Sequence, residues 1–315
     1  MRPSYFLKTG DIIDIVAPGS ACSKDIFEQA VAWIKQQGFI PRYPKNMLEP
    51  DIFISNSDEL RLKFLVEALT NTESKAVWCL RGGYGALRLV PELLKIKQIK
   101  QKKIFIGYSD VTTIHLWLNQ KMNWLTIHGP LLERCGQRDF SDKNKNELLE
   151  LVSGQQKEII FKNLKPVNLA AQKIKQKTKF ILNKKIYGGN LTVFCSSLGT
   201  DLAKKIKIKK TEEFFLFFEE IGERGYRIDR MLCQLEQSKA LNKCRAIFLG
   251  DFLLGDEADG QNHIWTVIQH FFKDSKIPVF SGLQAGHGQI QRPVILNSKA
   301  SLTCGNDIRL LTSFE

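Results

Sequence analysis

No window of the 315 residues approaches the roughly 20 uninterrupted apolar residues that a membrane-spanning helix requires, so no membrane partner is expected. The opening run from Met1 to Lys8 reaches Gly10 and Asp11 too soon to hold the apolar core of a signal peptide. A cytoplasmic location is the expectation. Paired cysteines are missing as well: Cys22, Cys79, Cys135, Cys195, Cys233, Cys244 and Cys304 form no C-x-x-C pair. That spacing argues against a zinc site or a disulfide framework, and no metal or cofactor is expected. Reduced thiols agree with a cytoplasmic address, and Cys79 and Cys195, inside apolar runs, read as small core residues. With 43% apolar and 25% charged residues, the chain is neither disordered nor fibrous. Its length allows two domains, each burying its own core.

Acidic residues are in deficit, 33 against 46 lysines and arginines, for a net charge of +13. The lysines concentrate in Lys95 to Lys103, Lys157 to Lys185 and Lys204 to Lys210, alternating with isoleucine, leucine, asparagine and glutamine. Aromatic interleaving and recognisable reading motifs are absent from these runs, so they read as solvated faces and no nucleic-acid partner is expected. The excess positive charge can still draw in anionic substrates.

Over the first ~130 residues, apolar β-type runs alternate with helical patterns. Asp11 to Ala17 predicts a strand, and a helix from about Asp25 repeats apolar residues at 26, 27, 30, 31, 33 and 34 before Gly38 closes it. Phe39 to Tyr43 predicts a second strand, and Ser57 caps a helix whose first turn carries Asp58 and Glu59. Ala76 to Leu80 is the next strand, Ala86 to Leu94 a helix, Ile104 to Gly107 a strand and Val111 to Asn119 a helix. Such alternation implies a mostly parallel sheet covered on both faces, with sites at the carboxyl ends of strands. From Leu131 to Gln176 the periodicity weakens, and a connecting segment is expected there. Beyond it, Phe214 to Phe218, Ala246 to Gly250 and Pro278 to Phe280 predict strands, with helices over 226–237 and 264–272 and short strands toward Thr303. The expected division is an N-terminal α/β domain over 1–135, a connection over 136–176 and a C-terminal domain over 177–315 that is mixed α/β with more antiparallel content.

Four places carry chemistry. Ser109 follows Ile104-Phe-Ile-Gly-Tyr on a strand-to-helix turn, where a nucleophile is lifted clear of the sheet. The pattern is half of G-x-S-x-G, since Val111 stands at the second glycine, and a helix N-cap is the alternative. Arg81-Gly82-Gly83-Tyr84-Gly85 ends another strand, and its backbone N–H groups suit a phosphate, an oxyanion or a purely structural turn. It has neither Walker A spacing nor G-x-G-x-x-G. Glu219 ends an apolar strand and needs a partner: an imidazolium, or one of Arg224, Arg227 and Arg230. Glu220 points to the opposite face. His287, between Gly286 and Gly288, is poised for proton transfer, whereas His115 and His128 read as structural and His263 and His270 as surface residues.

These segments, in this order over nearly the whole chain, resemble the LD-carboxypeptidase family of serine peptidases that trim bacterial murein peptides. The resemblance is carried by Gly10-Asp-Ile-Ile-Asp-Ile-Val-Ala-Pro, Arg81-Gly-Gly-Tyr-Gly, Ile106-Gly-Tyr-Ser-Asp-Val-Thr, His128-Gly-Pro, Gly188-Gly-Asn-Leu, Phe218-Glu-Glu-Ile-Gly-Glu, Tyr226-Arg-Ile-Asp-Arg-Met-Leu and Gly286-His-Gly. It implies a triad shared between domains, with Ser109 as nucleophile, His287 as base and Glu219 orienting the histidine. The N–H groups of Asp110 and Gly83 match the oxyanion donors. Glu219-Glu220 stands where the family usually has Glu-Asp. The implied fold pairs an α/β domain similar to class I glutamine amidotransferases with a smaller β-rich C-terminal domain, and a homodimer is implied. The implied reaction releases terminal D-alanine from murein tetrapeptides without a cofactor. A carboxypeptidase must also bind a terminal carboxylate, for which Arg81 and Arg227 are candidates, with Tyr84 a further candidate contact. The alternatives are a microcin C-type self-immunity hydrolase of peptidyl or aminoacyl nucleotides, and a non-catalytic murein-peptide binding protein. An α/β-hydrolase is disfavoured by Val111 and by the lack of a His-Gly-Gly-Gly segment.

Overall fold

The computed structural model describes residues 6–177, 179–205 and 212–314. The lysine run from Lys204 to Lys210 falls mostly outside them. The chain forms two compact units, 1–157 with 292–294, and 158–291 with 295–315. Together they make an α/β fold with parallel and antiparallel strands and flanking helices.

In the first unit, β1 (Ile12–Val16), β2 (Ile40–Arg42), β3 (Ala76–Cys79), β4 (Ile104–Gly107) and β5 (Thr126–His128) pair in the order β5-β4-β3-β1-β2, every pair parallel. The helices are α1 (Lys24–Gln36), α2 (Asp58–Thr70), α3 (Val90–Leu93), α4 (Thr112–Gln120), α5 (Leu132–Gly136) and α6 (Asp142–Val152). Strands buried on both faces must be apolar throughout, which is why Val77, Trp78, Phe105 and Ile106 are all sealed from solvent. Ser57 caps α2 as expected, its hydroxyl accepting from the Leu60 N–H, while α1 packs Trp33 edge-on against Trp78. The helix expected over 86–94 is divided: a 3₁₀ turn at Ala86–Leu89 precedes α3, whose second residue is Pro91. Proline is tolerated in a first turn and cannot donate to a preceding one, so the division falls there.

The second unit holds β6 (Glu158–Phe161), β7 (Lys165–Pro166), β8 (Phe180–Asn190), β9 (Phe214–Ile221), β10 (Cys244–Leu253), β11 (Val279–Ser281), β12 (Val294–Leu296), β13 (Lys299–Cys304) and β14 (Ile308–Ser313). Its eight-stranded sheet runs β6-β14-β13-β8-β9-β10-β11-β7, and of β12 only Ile295 and Leu296 belong to this unit, Val294 belonging to the first. The central strands β8 to β11 are parallel, and antiparallel strands flank them on both sides. Its helices are α7 (Leu169–Lys175), α8 (Leu191–Ser197), α9 (Asp201–Lys205), α10 (Gly225–Gln237) and α11 (Ile264–Phe272). Helix α10 buries Ile228, Met231, Leu232 and Leu235, the i, i+3, i+4, i+7 stripe of a crossover helix. The stretch 136–176, where periodicity is weak, is not a plain connection: it carries α6, β6, β7 and α7. In α6 only Leu148, Leu151 and Val152 supply apolar burial among polar residues, too few to mark a helix by pattern.

Candidate active site

Because β3 and β4 are adjacent and parallel, with Trp78 opposite Ile106, their carboxyl ends deliver the glycine loop and Ser109 side by side. Ser109 adopts φ +65°, left-handed backbone that a non-glycine residue enters at a cost of about 1–2 kcal/mol. A residue held there is on an elbow: Tyr108 before it is extended, and the 3₁₀ turn Ser109–Val111 runs straight into α4. Val111 at the second glycine position is accounted for by packing. A Cβ on Gly107 would lie 2.9 Å from Val111 Cγ1 and 3.1 Å from Cys79 Cβ, so the first glycine alone makes the room and the valine fills it.

The glycine loop presses on this elbow. A Cβ on Gly82 would stand 2.9 Å from Ser109 Cβ, which only a glycine avoids. Ser20 ties the loop down, its N–H donating to the Gly82 carbonyl at 2.9 Å and its hydroxyl accepting from the Tyr84 N–H at 3.1 Å. The Asp110 carboxylate accepts from the Ala86 N–H at 2.8 Å, joining the residue after the serine to the far end of the loop. Burial pushes Asp110 up to about 6, against the lowering by the backbone N–H groups of Ala86 and Gly85 and by the charge of Arg61. Arg61, buried on α2, donates to the carbonyls of Pro18, Asn56 and Gly85 and to Asp58. Pattern reading missed Arg61; its signal is a lone cation on the buried face of α2.

His115 is structural, as expected, with a defined task. Its Nε2–H donates to the Gly107 carbonyl, its Nδ1 accepts from Thr126, and Thr126 accepts from Asn119, each at 2.8–2.9 Å. Burial drops its pKa to about 4, so the ring is neutral and steadies the backbone two residues before Ser109. His128 is also buried, its ring 5.7 Å from that of Tyr108.

In the second unit Glu219, sealed from solvent on β9, receives His287 Nδ1 on Oε2 at 2.6 Å. Its other oxygen has no hydrogen-bond partner among the described residues. The arginine alternatives fall elsewhere: Arg224 lies 4.0 Å from Glu257, Arg227 lies 3.4 Å from Glu223 and 3.1 Å from the Tyr226 hydroxyl, and the Arg230 guanidinium sits 5.7 Å over the Tyr226 ring. Glu220, on the opposite face as alternation requires, accepts from Asn190, from the Thr192 N–H and hydroxyl and from its neighbour Ile221, and so covers the start of α8. Burial lowers the His287 pKa, but the charge and hydrogen bond of Glu219, helped by Glu220 and Asp251, outweigh it and raise the value. Asp251 on β10 is a group the sequence reading passed over. It lies inside β10, which continues through Phe252 and Leu253, so no change of pattern marks it in the sequence. Among the substrate-contact candidates, Arg81 is paired with Glu133 at 3.0 Å and is two-fifths exposed, while Tyr84 is exposed edge-on to Phe53. Among the described residues no group of three or more His, Cys, Asp and Glu side chains could hold a metal ion.

The first unit thus holds a strained serine on a strand–helix elbow with a glycine loop packed against it, and the second holds a buried carboxylate–imidazole pair. Residues 13–129 match the model for the LD-carboxypeptidase N-terminal domain and residues 184–302 that for its C-terminal domain, and the chain belongs to this family. A Rickettsia conorii protein named as a carboxypeptidase is 35% identical over 82% of this chain and 78% of its own. The crystal structure of muramoyltetrapeptide carboxypeptidase from Oxalobacter formigenes superposes with a TM-score of 0.80 at 27% identity, covering 96% of this chain and 98% of that one. The microcin C7 self-immunity protein MccF shares the fold with a TM-score of 0.80 at 18% identity, over 98% of each chain. The protein is an enzyme with hydrolytic activity of the LD-carboxypeptidase type.

Proposed function

We propose that the enzyme is a serine carboxypeptidase that cleaves the LD bond before the terminal D-alanine of murein tetrapeptides, with Ser109, His287 and Glu219 as its triad. The observation that carries this reading is the 2.6 Å bond from His287 to a fully buried Glu219. With that carboxylate ionised, Nδ1 carries the proton and Nε2 is the basic nitrogen. His287 takes the Ser109 proton as Oγ adds to the carbonyl carbon, and the N–H groups of Gly83 and Asp110 bind the oxyanion. Collapse breaks the C–N bond, and the D-alanine amine leaves with the proton from His287. Water then gives one proton to His287 as its oxygen attacks the ester, the imidazolium returns that proton to Ser109 Oγ as the C–O bond breaks, and the released acid loses its own proton to solvent as a carboxylate. The terminal carboxylate is assigned to Arg81 or Arg227, with Tyr84 beside it.

Incubation with the two murein tetrapeptides, containing meso-diaminopimelate or lysine, should release D-alanine detectable by mass spectrometry. Ser109→Ala should lower kcat by ~10³-fold or more without loss of fold. Unchanged turnover by that variant would remove the serine from the mechanism, and specific labelling of Ser109 by a fluorophosphonate would exclude an inert binding protein. The same reading includes a first unit similar to class I glutamine amidotransferases, a homodimer and a cytoplasmic site of action.

A second reading, hydrolysis of an aminoacyl or peptidyl nucleotide, uses the same triad. It is favoured by the exposed Phe53–Tyr84 pair, ring centroids 6.3 Å apart, an aromatic surface of the kind a base stacks on. Turnover of an aminoacyl sulfamoyl adenosine in preference to the tetrapeptides would select it.

A further inference from the structure

The registration of β10 against β9 slips beside the imidazole. Leu249 lies opposite Phe218 and Phe252 opposite Glu220, so Gly250 and Asp251 together face the single residue Glu219. One extra residue in a strand bends it and re-aims a side chain, and such bulges gather next to active sites. Without the bulge the residue opposite Glu219 would be followed directly by the partner of Glu220, leaving no position for a second acid there.

The re-aimed residue grips the His287 turn at both ends. The Asp251 N–H donates to the Ala285 carbonyl at 3.0 Å, and its Oδ2 accepts from the Gly288 N–H at 2.9 Å. These two bonds bracket His287. The turn closes on the acids so tightly that a Cβ on Gly286 would stand 2.9 Å from Glu219 Cβ and 3.2 Å from Asp251 Cβ, and one on Gly288 2.7 Å from Asp251 Oδ2. Gly286 is thus required both by its φ of +132° and by the close approach of the acids, and Gly288 by Asp251.

We propose that Asp251 is a positioning residue for the reaction: by holding the 285–288 turn at both ends it keeps the His287 imidazole on Glu219 in the orientation that accepts the serine proton. The inference rests on the reading of His287 as the general base. The charged groups that raise the imidazole pKa include Glu219 and Glu220 from β9 and Asp251 from β10. Burial, with a contribution from Glu219, pushes Asp251 itself up to about 6 in spite of the Gly288 bond.

The test compares Asp251→Ala with Asp251→Asn in the full-length enzyme, turning over the murein tetrapeptide, with His287→Ala as reference. Asparagine keeps an acceptor for the Gly288 N–H and loses the charge; alanine loses both. Alanine should lower kcat by about 10²-fold with little change in KM, because a loosened base misses its geometry in the transition state. Asparagine should stay within about threefold of the parent, with the acidic limb of its kcat/KM profile moved to lower pH, since one negative charge near the imidazole is gone. Full kcat in the alanine variant, an asparagine variant as impaired as alanine, or an unmoved limb in asparagine would each overturn the proposal. If alanine does not fold, Asp251→Leu, close to aspartate in shape but without an acceptor for the Gly288 N–H, takes its place in the comparison. An active His287→Ala enzyme would instead overturn the reading of His287, a failure distinct from that of Asp251.

Discussion

A carboxylate with no solvent exposure is unfavourable unless a donor compensates it, and for Glu219 that donor is the Nδ1–H of His287. The pair therefore has opposite effects on folding and on catalysis as pH changes. The raised His287 pKa means that the stabilisation from the charged pair is fully present below the unfolded value of about 6.5 and is lost as pH rises through the folded value. With His287 as the base proposed above, turnover would need the neutral imidazole, so kcat/KM should rise through that same raised folded value. Glu219→Gln should lower kcat by roughly 10³–10⁴-fold, by removing the charge that orients the base, and should shift the His287 titration, followed by NMR, to lower pH. A His287 titration that stays where the parent has it would contradict the electrostatic account. At this scale the sequence was informative wherever a residue type is unusual for its place, as with a serine after a strand or a histidine between glycines. Asp251 was not legible, because its proximity to His287 depends on a bulge that only strand registration reveals.

At the scale of elements, the elbow is a packing unit as much as a turn. The strand β4, the turn at Ser109 and α4 are locked by three contacts: Val111 against Gly107, Gly82 against Ser109 and His115 on the Gly107 carbonyl. Gly107→Ala should destabilise the protein by about 1–3 kcal/mol through overpacking, and Gly107→Ala with Val111→Ala should recover a good part of the loss, because the second change removes the methyl that obstructs the first. Thermal unfolding of the two variants measures this, and additive losses would show that the valine does not fill the space the glycine leaves. The amphipathic helices α1, α10 and α11 were legible because their apolar stripes repeat at helical spacing. The elements of 136–176 were not, since short strands such as Lys165–Pro166 and a polar helix such as α6 exist only through tertiary pairing and carry little pattern of their own.

For the whole molecule, the excess of 13 positive charges is long-ranged while the chemistry is local. Fields from solvated lysines steer a ligand before contact and are screened over about 8 Å at physiological ionic strength. Lys173, Lys273 and Lys276 are exposed and contribute to that field. For a tetrapeptide of net negative charge, raising the salt should therefore reduce kcat/KM while leaving kcat unchanged, since the bound complex already holds its own short-range contacts. The comparison is between sodium chloride and an isoviscous uncharged solute such as sucrose. An equal fall in both would assign the effect to diffusion and not to charge, and a fall in kcat with salt would mean that ionic strength acts on the His287–Glu219 pair itself and not on encounter.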